Sequence, residues 1–283
     1  MTYSRTVASL RAGVCGTLLL AAVACAAEER SYSTPTAAEL AQAGRLFRLL
    51  LQAGPLEDAR VIAGRLGLAL GETPTSVTLV DERGRGWGEY SFSKRASKPI
   101  ALQAPHRFHD RHTGELARRL FDGGAAGSVA LNSVSRRTPV AGQEGKPADL
   151  ARLHNSLHSV HAAEFSALAP RGYLVQLHGF DAARRKSNAA RAAHIILSSG
   201  SREGTPYLSR LQRCFEARGW NTLRYPEQVR ELGATRNSVG ALLRGRGHRG
   251  FTHIEMNLDL RRELLDDSGT LQAFGACLAE ALS

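Results

Sequence analysis

Cysteine is scarce in this sequence. Four occur in 283 residues, and Cys15 and Cys25 fall in or beside an apolar leader, leaving Cys214 and Cys277 in the body of the chain. Neither has metal-ligand spacing, which excludes a cysteine-held metal centre. Each falls in a predicted amphipathic helix, so the two either pair in an oxidising compartment or stay separate as buried thiols. Beyond the leader no apolar run is long enough to span a membrane. Internal repeats and heptads are missing too, which excludes a solenoid or a coiled coil. No Gly-x-Ser-x-Gly elbow surrounds Ser199 in Leu197-Ser198-Ser199-Gly200, and that weighs against a serine hydrolase. Acidic residues are outnumbered: the formal charge is +11, and it falls to +9 once Arg5 and Arg11 leave with the leader. The basic residues are dispersed and mostly Arg, with no aromatic and basic stacking motif, so nucleic acid is not an expected partner.

What is present begins with that leader. Arg5 and Arg11 precede the apolar segment from Val14 to Ala24, which ends in small residues; residues 1–24 are therefore predicted to be a secretory signal peptide. Ala22-Val23-Ala24 suits signal peptidase, and the same residues followed by Cys25 resemble a bacterial lipoprotein box. The expected location is the periplasm or cell envelope, with membrane attachment only through lipidation of Cys25. The positive field suits anionic partners such as polycarboxylates, cell-wall polymers or acidic membrane surfaces, although an Arg-rich coding background produces the same excess.

The rest is long enough for one large domain with a substantial core. Residues 25–98 read as two helices (Thr36 to Ala53 and Leu56 to Leu66) and a hairpin (Ser76 to Ser93), either part of the main domain or capping it. Residues 99–283 alternate short apolar strands with amphipathic segments, including a long helix from Ala148 to Leu168. This rhythm predicts an α/β fold, a central mostly parallel or mixed sheet with helices on both faces. Ligands in such sheets bind beyond the carboxyl ends of the strands, where His106, Asn132, His178 and Glu255 fall. The stretch from Ser135 to Pro147 reads as a loop, and Arg184-Arg185-Lys186 and Arg244 to Gly250 as basic loops.

The densest chemistry lies in Ala104-Pro105-His106-Arg107-Phe108-His109-Asp110-Arg111-His112-Thr113-Gly114-Glu115. A hydrolytic zinc needs three protein ligands and one open position for water, commonly a close pair from one loop and a distant third from another strand. His106 and Asp110 form the close pair and His178, in Leu177-His178-Gly179-Phe180, the distant ligand. His109 and Glu115 are fallbacks for the second position. Glu255, in Ile254-Glu255-Met256-Asn257, is a carboxylate among apolar neighbours, suited to a general base or else to an ion pair with Arg261 or Arg262. His253 shares its face and reads as a core histidine or a support for the site. Asn132 and Arg136 are candidates for binding a substrate carboxylate or an oxyanion. His154, His158 and His161 recur at helical spacing, which fits an accessory metal site or a polar flank of the sheet.

These residues resemble the zinc hydrolases of carboxypeptidase-like fold, among them zinc carboxypeptidases, N-formylglutamate amidohydrolases and poly-gamma-glutamate hydrolases. The resemblance follows His106, Asp110, His178 and Glu255 in order from Pro99 to Leu282. It implies zinc held by the first three and water activated by Glu255. The spacing His-x-x-x-Asp differs from the family's His-x-x-Glu, and three residues separate Asn132 from Arg136 where carboxypeptidases place Asn and Arg side by side. The expected function is an exported Zn2+-dependent hydrolase of amide bonds acting on an anionic peptide or acyl amino acid. A non-catalytic envelope lipoprotein that binds a ligand or metal is the alternative.

Overall fold

The computed structural model describes residues 31–95 and 98–282, so the signal peptide and Cys25 lie outside the described residues. Two helices, α1 (Ala37–Leu51) and α2 (Leu56–Leu66), lead into strands β1 (Leu68–Glu72), β2 (Ser76–Asp81), β3 (Glu89–Ser93) and β4 (Ile100–Ala104). Then come α3 (Thr113–Asp122), β5 (Ser128–Leu131), β6 (Pro139–Val140), β7 (Gln143–Pro147), α4 (Leu157–Leu168) and β8 (Tyr173–Gly179). The rest is α5 (Asn188–Ala192), β9 (Ile195–Ser198), α6 (Pro206–Ala217), β10 (Thr222–Arg224), α7 (Ser238–Gly245), β11 (Phe251–Met256), α8 (Leu258–Asp266) and α9 (Ser268–Glu280).

Local chemistry sets these boundaries. Thr36 and Glu39 form a reciprocal capping box at the start of α1, satisfying two N–H groups that the first turn leaves free. Gly67 closes α2 in the left-handed conformation, where a side chain would be strained. Thr205 caps α6 and Pro206 occupies its first turn, where no N–H is needed.

Nine strands form one sheet in the order β1-β2-β3-β5-β4-β8-β11-β9-β10. The central four, β5, β4, β8 and β11, run parallel; β1, β2 and β3 extend them antiparallel on one side, and β9 reverses direction against β11. The sheet is mixed, and residues 68–93 are hydrogen-bonded into it through β3 and β5.

The pleat divides the central strands into two chemistries. Ile100, Leu102, Ala104, Val175, Leu177, Ile254 and Met256 face α3, α6, α8 and α9 in the largest apolar core. Each fully buried Leu or Ile there contributes about 1.5–3 kcal/mol by leaving water. The opposite face, under α1, α4 and α7, alternates apolar residues with Gln103, Gln176, His178, His253 and Glu255. Cys214 on α6 and Cys277 on α9 form a disulfide, which decides between the two readings in favour of pairing. No helix among the described residues is long and apolar enough to cross a membrane.

Three sequence expectations differ from the structure. The long helix begins at Leu157, not Ala148, because Ser156 caps it through the Ser159 N–H and the preceding residues turn around Asp149. The segment expected to be a loop contains the β6–β7 hairpin. Strand β1 and helices α5, α7 and α8 have no counterpart among the expected elements, because segments this short show little periodicity.

Candidate metal centre

The carboxyl ends of β4, β8 and β11 open into a cleft of about 980 Å³. His106 follows β4 by two residues, and its carbonyl accepts the N–H groups of His109 (2.7 Å) and Asp110 (2.8 Å), curling the loop so that both side chains return to the cleft. Thr113 secures that turn through its hydroxyl on the Asp110 carbonyl, 2.7 Å. His178 and Glu255 are direct cross-strand neighbours in the β8–β11 register. Parallel pairing therefore places on one rim two residues 77 positions apart in sequence.

The imidazoles of His106 and His178 stand edge to face, 4.8 Å between centroids. Asp110 lies between them, its Oδ2 at 3.5 Å from His106 Nδ1 and 3.1 Å from His178 Nδ1. Each ring meets an acceptor at its other nitrogen: His106 Nε2 faces Asp149 Oδ1 at 2.7 Å and His178 Nε2 faces Gln176 Oε1 at 3.4 Å. His178, with oxygen acceptors at both nitrogens, must carry a second proton or share its Nδ1 lone pair with a cation, whereas the His106 Nδ1 lone pair also meets a donor, Arg136 Nη1 at 3.4 Å. Two metal bonds of about 2.1 Å meeting at a tetrahedral angle separate their donor atoms by about 3.4 Å. The observed 3.1 and 3.5 Å match that span, and two imidazole nitrogens with one carboxylate oxygen suit zinc better than magnesium or calcium.

The electrostatics agree. Burial opposes ionisation of Asp110, but hydrogen bonds with His106 and His178 outweigh it and hold the carboxyl well below its ordinary range. Burial likewise opposes ionisation of Asp149, yet its bonds to His106 and Arg136 hold it at about 2. His106 is raised, because Asp110 and Asp149 overcome burial; His178 is lowered, because burial dominates. Glu255 is pushed up to about 8, first by burial and then by the Asp110 charge.

Glu255 makes an ion pair with neither Arg261 nor Arg262; Arg262 approaches Asp259 instead, at 3.8 Å. Its nearest basic neighbour is His253, whose Nε2 is 3.7 Å from Oε1. The His253 ring lies 4.3 Å from that of His178, and its Nδ1 is buried without a partner. His178, His253 and Glu255 thus form a second close group, but one that would use the carboxylate otherwise free to serve as a base.

Other expected residues fall elsewhere. Asn132 is fully buried outside the cleft: its Oδ1 accepts the Arg107 N–H (2.9 Å) and its Nδ2 donates to the Val134 carbonyl (2.5 Å), so the amide braces two loops and does not reach the space a substrate would occupy. Arg136 lines the cleft, with Nη2 on Asp149 Oδ2 at 2.5 Å. His109 lines it exposed, outside the ligand cluster, and Glu115 is exposed and paired with Arg119 at 2.5 Å. His154 is exposed ahead of α4, while His158 and His161 are buried against Tyr90, Gln103 and Ser128, so no metal group forms there. Ser199 bonds the Glu203 carbonyl at 2.5 Å, with no imidazole on it.

Three residues of the site are not marked by the sequence pattern: Asp149, Gln176 and Gln103. Asp149 falls within the span expected to be helical, which it does not join. The two glutamines interrupt otherwise apolar strands in Leu102-Gln103-Ala104 and Val175-Gln176-Leu177, and that interruption is the available signal.

No family model matches this chain, and no curated protein does. Among solved structures it is similar to N-formylglutamate amidohydrolase from Ralstonia eutropha JMP134, at 12% identity over 68% of this chain and 96% of that one, TM-score 0.47. A gene product of Agrobacterium tumefaciens aligns at 16% identity over 66% and 90%, TM-score 0.42. A Zn-dependent exopeptidase from Parabacteroides distasonis ATCC 8503 aligns at 13% over 86% and 97%, TM-score 0.34. All three TM-scores fall below 0.5, and the chemistry of the site rests on its own residues.

Proposed function

We propose that the protein is an exported zinc-dependent hydrolase that cleaves an amide bond in a peptide or acyl amino acid carrying a free carboxylate. The observation that carries this reading is the convergence of His106 Nδ1, His178 Nδ1 and Asp110 Oδ2 at the mouth of a cleft that also holds a buried carboxyl, Glu255.

Zinc bound here would supply Lewis acidity, acidifying water and polarising a carbonyl. His106, Asp110 and His178 would hold it, and Asp149 fixes the His106 ring from behind. Glu255 takes a proton from the attacking water and returns it to the leaving amine. Its raised affinity for a proton suits both halves of that task, because a base of ordinary carboxylate strength would hold the proton too weakly at neutral pH. A dication held beside Glu255 would favour its ionised, base form.

The walls favour an anion. Arg136 and Arg152 are engaged by Asp149, Arg184 by Asp181 and Arg185 by Glu231, whereas Arg111, Arg236 and Arg261 make no ion pair among the described residues. Arg261 is the most confined of these. It is buried, donating to the carbonyls of Arg111, Asn257 and Phe180, and its guanidinium lies against Gly179, where any Cβ would collide with it. A buried cation held only by carbonyls retains two N–H groups for a carboxylate.

The deciding experiment is metal content per chain on the purified mature protein, wild type against His106→Ala and His178→Ala, each checked for folding by circular dichroism. Near one zinc in the wild type, lost in both folded variants, is the expected result. No zinc after reconstitution would overturn the reading and leave a binding protein without turnover.

A further inference from the structure

Behind His178, β4, β8 and the start of α7 each contribute an amide side chain: Gln103 and Gln176, away from the cleft, and Asn237 at its edge, all buried. Gln103 and Gln176 are cross-strand neighbours in the β4–β8 register. Gln103 Nε2 lies 3.0 Å from the His158 carbonyl, Gln176 Nε2 lies 2.8 Å from Gln103 Oε1, and Asn237 Nδ2 lies 2.7 Å from Gln176 Oε1. Oxygen and nitrogen of an amide look alike, so their assignment must come from groups with only one possible role.

Such groups stand at both ends. A backbone carbonyl can only accept, so the Gln103 NH2 must face His158 and its oxygen must face Gln176. Gln176 then turns its NH2 to Gln103 and its oxygen toward Asn237 and His178. From the other end, the Gly240 N–H can only donate, and it caps α7 on Asn237 Oδ1 at 3.0 Å. That fixes the Asn237 NH2 on Gln176 Oε1, the orientation reached from the opposite direction. Both ends agree, and the Gln176 oxygen presented to His178 Nε2 is a fixed acceptor. Nε2 must then carry the proton, and the lone pair at Nδ1 is left facing Asp110.

We propose that the Gln103–Gln176–Asn237 chain positions the metal centre by fixing the Nε2–H tautomer of His178, so that its Nδ1 is always presented as a ligand. Gln176 is the positioning residue; it acts through His178 and lines no part of the cleft. This rests on the zinc reading of the site. It gives His178 a neutral acceptor where His106 has the carboxylate of Asp149, so the two ligands are oriented by different chemistry.

Two measurements test it. Zinc affinity, from competition with a chromophoric chelator, is expected to be about 10–100-fold weaker in Gln176→Leu than in the wild type. In zinc-loaded wild type labelled with 15N at histidine, His178 is expected to show a proton on Nε2 that exchanges far more slowly than that of the exposed His109, with Nδ1 bare. Unchanged affinity in a folded Gln176→Leu, a proton on Nδ1, or an Nε2 proton exchanging as fast as that of His109 would overturn the proposal while leaving the zinc reading intact. If Gln176→Leu does not fold, the wild-type spectrum decides alone. A wild type that binds no zinc would remove the zinc reading and this proposal together.

Discussion

Two pairs of histidines sit on the same side of the sheet and differ in what surrounds them. His106 and His178 rim the cleft; His158 and His161 lie behind it on α4. All four are buried, so burial alone does not mark a ligand. His161 spends both nitrogens inside the core: Gln103 donates to Nδ1 at 3.1 Å, and Nε2 donates to Ser128 at 2.9 Å. His158 meets the Tyr90 hydroxyl at Nδ1, 3.0 Å, and no carboxylate approaches either ring. In the cleft, by contrast, a carboxylate stands between two Nδ1 atoms whose opposite nitrogens are already engaged. A candidate metal centre is recognised by lone pairs converging on an anion, not by histidines sharing a helix face.

The largest expected effect separates the cleft's chemistry from its metal binding. Glu255→Gln keeps the shape and all three proposed ligands but removes the proton acceptor. kcat for amide hydrolysis should fall by about 10²–10⁴-fold with zinc content unchanged. Loss of zinc in this variant would make Glu255 a ligand and favour the His178, His253 and Glu255 group. In metal-free protein the same substitution should raise the thermal midpoint above pH 8 and do little below pH 4.5. The folded carboxyl titrates near 8 against an ordinary 4.5, so its contribution to stability is complete below 4.5 and is lost as pH rises through that window.

A smaller effect is expected on the cleft's wall. Arg261→Met should lower kcat/KM by about 10–100-fold for a substrate with a free carboxylate, the worth of a charged hydrogen bond of about 1.5–3 kcal/mol. The amide-capped form of the same substrate should be almost unaffected. Equal losses on both would make Arg261 a brace for the three loops whose carbonyls it holds, and the anion would have to be sought at Arg111 or Arg236.

Much of the contrast between the two pairs is legible in the amino-acid sequence. His106, His178 and Glu255 each follow or end an apolar strand, and strand ends of a parallel sheet are where side chains meet, so local pattern and topology point to the same residues. The disulfide is legible only as one of two outcomes, because spacing says nothing about whether two helices lie side by side. Asp149 is hidden by the helix start: the apolar spacing around it suits a helix, and only the Ser156 cap shows where the turns begin. Asn132 misleads for the opposite reason. It follows β5, as expected of a site residue, but its amide closes backbone bonds that the loop would otherwise leave buried and unpaired. Gln103 and Gln176 give little signal because an amide in a strand carries no chemistry of its own until its neighbours fix which atom it presents.

The smallest expected effect tests the comparison through pH. Burial lowers His158 and His161 to about 3, so both are neutral in the fold and charged in the unfolded chain below 6.5. Their contribution to stability is complete above pH 6.5 and is lost as pH falls toward 3. His106 has the opposite sign in metal-free protein: its raised affinity contributes fully below 6.5 and is lost as pH rises through its folded value. Urea unfolding of metal-free protein at pH 7.5, 6 and 5 should therefore show His161→Gln losing stability toward acid less steeply than the wild type, by about 1.4 kcal/mol per pH unit below 6. His106→Gln should fall further behind the wild type at pH 5.5 than at pH 9. Parallel curves for His161→Gln and the wild type would mean that His161 is not held neutral. The contrast between the two pairs would then rest on geometry alone.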